Sequence, residues 1–154
     1  MSHSIRRALL LLLVLLPACH FEDRTPGGPQ RDDASLEQLV RNFYEALARQ
    51  DASALERTAY SSASVLADGG SQAPVLVPVH TMITVPDART SGVTPRVVRS
   101  ELRTDGGIAT ARVVIAGSVP TDMEAVDFLT FSRLRGQWRV AHAVFGPWRT
   151  RSAP

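Results

Sequence analysis

Cysteine is almost absent from this 154-residue chain: Cys19 is the only one. An intramolecular disulfide is therefore excluded, and so is any metal site built from cysteine pairs. Lysine is missing, so all 17 basic residues are arginine. An excess of one charge is missing as well. Removing Arg6 and Arg7, which lie in a leader described below, leaves 15 basic against 15 acidic residues, a net charge of zero. A neutral chain lacks the basic footprint that nucleic-acid binding requires, so no nucleic-acid partner is expected. No apolar run approaches the roughly 20 residues of a spanning helix, and the longest is Ala8–Leu16. Phosphate-binding loops, dinucleotide fingerprints, G-x-S-x-G and H-E-x-x-H patterns are all missing, and His20, His80 and His142 have no ligand spacing. No cofactor and no metal are expected.

What is present begins with Arg6-Arg7, the short apolar run, and Leu16-Pro17-Ala18-Cys19. Residues 1–18 read as a secretory signal peptide. Their ending resembles the lipobox of bacterial lipoproteins, which implies that Cys19 is lipidated and becomes the mature N-terminus. His20 follows in place of the Asp that retains lipoproteins at the inner membrane. The expected location is the cell envelope, on an outer membrane facing the periplasm if the organism has one. Residues 19–34, rich in Pro, Gly and charge, read as a flexible tether whose 15 residues after Cys19 reach roughly 20 Å.

From Ser35 the pattern becomes globular. Ser35 and Gln38 form a capping box ahead of Leu36, Leu39, Val40, Phe43, Tyr44 and Leu47, which predicts an amphipathic helix over 36–49. Asp51 or Ser53 caps a second helix carrying Leu55 and Tyr60. Residues 61–95 alternate weakly and are interrupted by Pro74, Pro78, Pro86 and Pro95, with a turn at Asp68-Gly69-Gly70. They suggest short strands around a helical turn at 79–85.

Asp105-Gly106 marks a hairpin with Thr104 opposite Gly107. That register places Val98, Leu102, Ala109, Ala111, Val113 and Ile115 on one face, and Arg99 opposite Arg112 on the other. The cluster of Arg99, Arg103 and Arg112 there suits anionic lipid head groups, or a solvated face relieved by Glu101 or covered in a dimer. A second hairpin, 124–134 with 137–145, turns at Arg135-Gly136. The expected class is α+β, two N-terminal helices packed on a curved antiparallel sheet over 35–148, with a short tail at 149–154.

Several segments in this order, Leu39–Leu47 with Asp51–Leu55, Gly107–Ala111, Val126–Leu129 and Gly136–Val140, resemble the nuclear transport factor 2-like superfamily, its SnoaL-like and lumazine-binding branches in particular. The resemblance implies a cone-like fold enclosing an apolar pocket, with homodimerisation through the outer sheet face. It implies no single function, since members include isomerases, cyclases, dehydratases and binding domains.

The candidate chemistry is narrow. In the second hairpin, residues opposite each other sum to 271, so Asp127, Leu129, Phe131, Trp138, Val140 and His142 share one face. Asp127 and His142 are then diagonal neighbours that could serve acid/base catalysis. Tyr44, His80, Phe131 and Trp138 are candidate pocket walls for a small apolar ligand. With one Asp, one His and no second donor to stabilise an enolate, the balance leans to a non-catalytic binding or interaction module. A SnoaL-like isomerase, cyclase or dehydratase using Asp127 and His142 is the alternative.

Overall fold

Helix α1 (Pro29–Ala48) carries the apolar stripe foreseen in its sequence. Leu36, Val40, Phe43, Tyr44 and Leu47 are all buried. Its outer face is laced by exposed pairs, Arg41 with Glu37 at 3.8 Å and Arg49 with Glu45 at 2.7 Å. The helix begins at Pro29, not after Ser35, so residues 29–34 of the expected tether are helical. Proline suits a first helical position, because its missing N–H would have no helical partner there. The early start is held from outside the helix, since Asp32 in the first turn accepts hydrogen bonds from Arg133 Nη1 and Trp138 Nε1.

The computed structural model describes residues 29–67, 74–84, 89, 94–117 and 123–151. The leader, Cys19, the tether up to residue 28, the turn at Asp68-Gly69-Gly70 and residues 152–154 lie outside them. Among the described residues, no helix is long and apolar enough to cross a membrane.

Gln50, at φ 53°, reverses the chain after α1. Asp51 then caps α2 (Ala52–Thr58) by accepting from the Ala54 N–H at 2.9 Å. The second helix is shorter than its sequence suggests, and Tyr60 lies in strand β1 (Ala59–Ala67) instead. β2 (Val75–Pro78) pairs antiparallel with β1, and a 3-10 turn (Val79–Thr84) follows where a helical turn was foreseen.

β3 (Arg96–Asp105) and β4 (Ile108–Ala116) form the first hairpin with Asp105 opposite Ile108, so the turn residues are Gly106 and Gly107. This register differs by two residues from the expected one. A shift of two keeps each side chain on its face, and Ala109, Ala111, Val113 and Ile115 are buried as anticipated. A bulge at Val98 does change faces: Val97 packs on the core, and Val98 is 45% exposed. The two-residue shift, not the bulge, sets Arg99 opposite Val114 and Glu101 opposite Arg112. Glu101 bonds both arginines, at 3.1 and 3.5 Å.

β5 (Met123–Leu134) and β6 (Gln137–Phe145) turn through Arg135 and Gly136, at φ 52° and 80°, the left-handed pair that a two-residue hairpin demands. A two-residue strand, β7 (Arg149–Thr150), pairs with the start of β5. The sheet runs β2-β1-β6-β5-β4-β3 and is antiparallel except where β1 lies parallel to β6. Both helices and the 3-10 turn cover one face of this curved sheet. The α+β cone architecture expected from the sequence is the one observed.

Candidate functional site

Odd-numbered residues of β5 point under the helices. Between Ala125 and Leu129, that places Asp127 in the core at 0% exposure. An isolated carboxylate there would lose several kcal/mol of hydration, so the site depends on what surrounds it. Arg89 donates from Nε to Oδ2 at 3.0 Å and from Nη2 to Oδ1 at 2.6 Å. The Tyr44 hydroxyl donates to Oδ2 at 2.8 Å, and the Gly146 N–H donates to Oδ1 at 3.0 Å.

Arg89 is itself 2% exposed. Its guanidinium lies 4.5 Å from the centre of the Phe145 ring and 4.9 Å from that of Trp148, and Nη2 also donates to the Gly146 carbonyl at 2.8 Å. Burial pushes the Tyr44 phenol well above its ordinary value, and the negative charge of Asp127 pushes it further. Tyr44 therefore stays protonated and remains a donor. Glycine is required at 146, because a Cβ there would press against the Val126 carbonyl of the neighbouring strand.

Four donors occupy the two oxygens of Asp127, so each oxygen is already engaged within the fold. The arrangement is a polar lock joining α1, β5, Arg89 and the end of β6.

His142 is not part of it. The expected register holds from Leu134–Gln137 to Phe131–Val140, then breaks, so that Thr130 faces His142 and Leu129 faces Ala143. This bulge at Ala141 corrects the anticipated pairing of Asp127 with His142, because the two side chains lie on opposite faces of the sheet. The physical reason is visible in what the slip exchanges. Phe145, which packs 6.5 Å from Phe43, enters the core, and the more costly imidazole leaves it. His142 instead meets Ser64, with Nδ1 and Oγ at 2.8 Å.

The other candidates also separate. Tyr44 and Phe131 are fully buried core residues and line no described cavity, whereas His80 is exposed and lines a shallow 40 Å³ depression next to α2. Trp138 does line a cavity, an open cleft of about 810 Å³ between α1, α2 and the β5–β6 turn. Its walls set Gln38, Asn42, Arg57, Arg133, Gln137 and Arg139 beside apolar surface, so amide and charged groups enter a cleft anticipated as apolar. Sequence reasoning missed Arg89 and this set of side chains. Arg89 had one signal, since a carboxylate alternating with Leu129 and Phe131 on a buried face requires a cation. Among the described residues, no group of three His, Cys, Asp or Glu is placed to hold a metal ion.

The curved sheet and covering helices define a domain of the nuclear transport factor 2-like class. Residues 31–146 match the model of the family described as putative lumazine-binding, and the chain belongs to that family. A nuclear transport factor 2-like protein of unknown function from Silicibacter pomeroyi is similar in structure, with a TM-score of 0.65, 24% identity, and 81% of this chain and 100% of that one covered. A nuclear transport factor 2-like protein from Cytophaga hutchinsonii has a TM-score of 0.58 at 17% identity, covering 77% and 98%. A putative ketosteroid isomerase from Shewanella frigidimarina has a TM-score of 0.57 at 16% identity, covering 74% and 96%. Among proteins with curated descriptions, none matches.

Proposed function

We propose that this protein is an envelope-anchored binding module that holds a small molecule without converting it. The observation that carries this reading is the saturation of Asp127: the buried carboxylate has both oxygens engaged by Arg89, Tyr44 and Gly146. A general base needs an oxygen open to the substrate. The cleft of about 810 Å³ has the size of a small-molecule site, which is typically roughly 300–1,000 Å³. The family's description, putative lumazine-binding, is also that of a small-ligand binder.

Anchoring comes from Cys19, whose lipid chains hold the domain at the membrane surface, on the outer membrane where there is one. The outer sheet face pairs two copies. One lateral row there runs Leu76, Leu66, Val144 and Phe128, then Arg112 and Glu101, an apolar stripe ending in opposite charges. Leu76 and Phe128 are 62% and 52% exposed, and a second copy would cover them.

Native mass spectrometry of the purified full chain tests the reading. A small molecule that copurifies and is released chemically unchanged after prolonged incubation is the expected result. Its conversion to a product by the protein would overturn it.

A further inference from the structure

The cleft beside Trp138 is unevenly charged. Among the described residues, Asp32 is its only acidic wall residue, and it is spent on Arg133, 3.1 Å away, and on the Trp138 indole N–H. Arg57 and Arg139 line the same cleft with no carboxylate partner among the described residues. Among the described residues, Arg57 bonds only the Ser53 hydroxyl, at 3.4 Å, and Arg139 bonds Gln137 Oε1 at 3.5 Å and lies 5.8 Å from the Tyr60 ring centre. Asp51, the carboxylate whose ionisation Arg57 assists, is committed to the α2 cap. Two guanidiniums that bond no carboxylate among the described residues, beside the amides of Gln38, Asn42 and Gln137, supply many donors and little acceptor charge.

On these grounds, and resting on the reading that the protein binds a small molecule, we infer that the cleft takes a phosphate or carboxylate group, seated on Arg57 and Arg139. The anion belongs either to a free small molecule or to a lipid head group. The planar Trp138 ring, with Arg133 stacked 4.9 Å from its centre, forms the adjoining wall.

The test follows the Trp138 indole N–H and the Gln137 and Arg139 amides of the purified full chain by NMR. The probes are inorganic pyrophosphate, succinate, and short-chain phosphatidylglycerol below its micelle concentration. Saturable shifts are expected that weaken about tenfold in a variant carrying Arg57→Gln and Arg139→Gln, but hold in Arg99→Gln, which loses a charge on the outer sheet face. A response to pyrophosphate or succinate assigns a free anion, and a response to the lipid alone assigns a head group.

Shifts that saturate with none of the probes, or that Arg99→Gln weakens equally, would overturn the inference. So would a neutral copurifying molecule that docks in the cleft with unchanged affinity in the double variant, although binding without turnover would then stand. Conversion of the bound molecule would instead defeat the functional reading and leave the anion site intact.

Discussion

Asp127 shows how a single position can be read two ways. On an apolar face, a carboxylate looks like a catalytic base, and only its partners reveal a structural ion. Removing one member of a buried pair strands the other, which typically costs about 3–5 kcal/mol, whereas replacing both with apolar groups of similar size is often neutral or better. Asp127→Leu and Arg89→Met are each expected to destabilise by that order, and the double variant by much less than their sum, as measured by urea unfolding. Tyr44→Phe removes one of the four donors and keeps the ring packed against Phe43, so a loss of about 1–2 kcal/mol is expected.

Arg89 was hard to foresee because the stretch from Pro74 to Pro95 reads as a proline-broken segment in which an arginine passes for a surface cation. Asp127 was legible as unusual. Its partner was not, because 38 residues separate the pair and no local pattern connects them.

At the scale of elements, local chemistry was readable and bulges were not. Arg135-Gly136 declared its turn through the left-handed backbone it must adopt. The amphipathic stripe of α1 declared its buried face, but the start of the helix at Pro29 depends on Asp32 meeting Arg133 and Trp138 from another part of the chain. Val97 and Val98 are equally apolar, so nothing in that pair marks the bulge. At Ala141 the exchange of His142 for Phe145 is decided by the whole core.

The Asp51 cap carries a pH dependence of known sign. The Ala54 N–H first, and the Ser53 hydroxyl second, hold its carboxyl below the ordinary aspartate value in the folded state. A depressed folded value means that the cap contributes fully above the unfolded-state value, and that its contribution fades as pH falls through the folded one. Asp51→Ala is expected to lower the melting temperature at neutral pH, with the difference from the parent shrinking on acidification. A difference that grew as pH fell would contradict the assignment.

Across the whole molecule, the two faces of one sheet do different work. The inner face is closed by helices around the Asp127 lock, and the outer face presents the Leu76–Phe128 row. If that row pairs two copies, Phe128→Glu should give a monomer in sedimentation while the domain stays folded, because the side chain lies outside the core. The cleft opens at the edge of the inner face, between α1, α2 and the β5–β6 turn.

Binding without catalysis requires that Asp127 hold the fold and take no part in chemistry. The most direct measurement compares the parent with the folded double variant Asp127→Leu/Arg89→Met, quantifying by native mass spectrometry the small molecule that copurifies with each. The same molecule is expected on both proteins, at the same occupancy and unaltered. A double variant that folds like the parent but no longer holds the molecule, or a parent that converts it where the variant does not, would contradict the account.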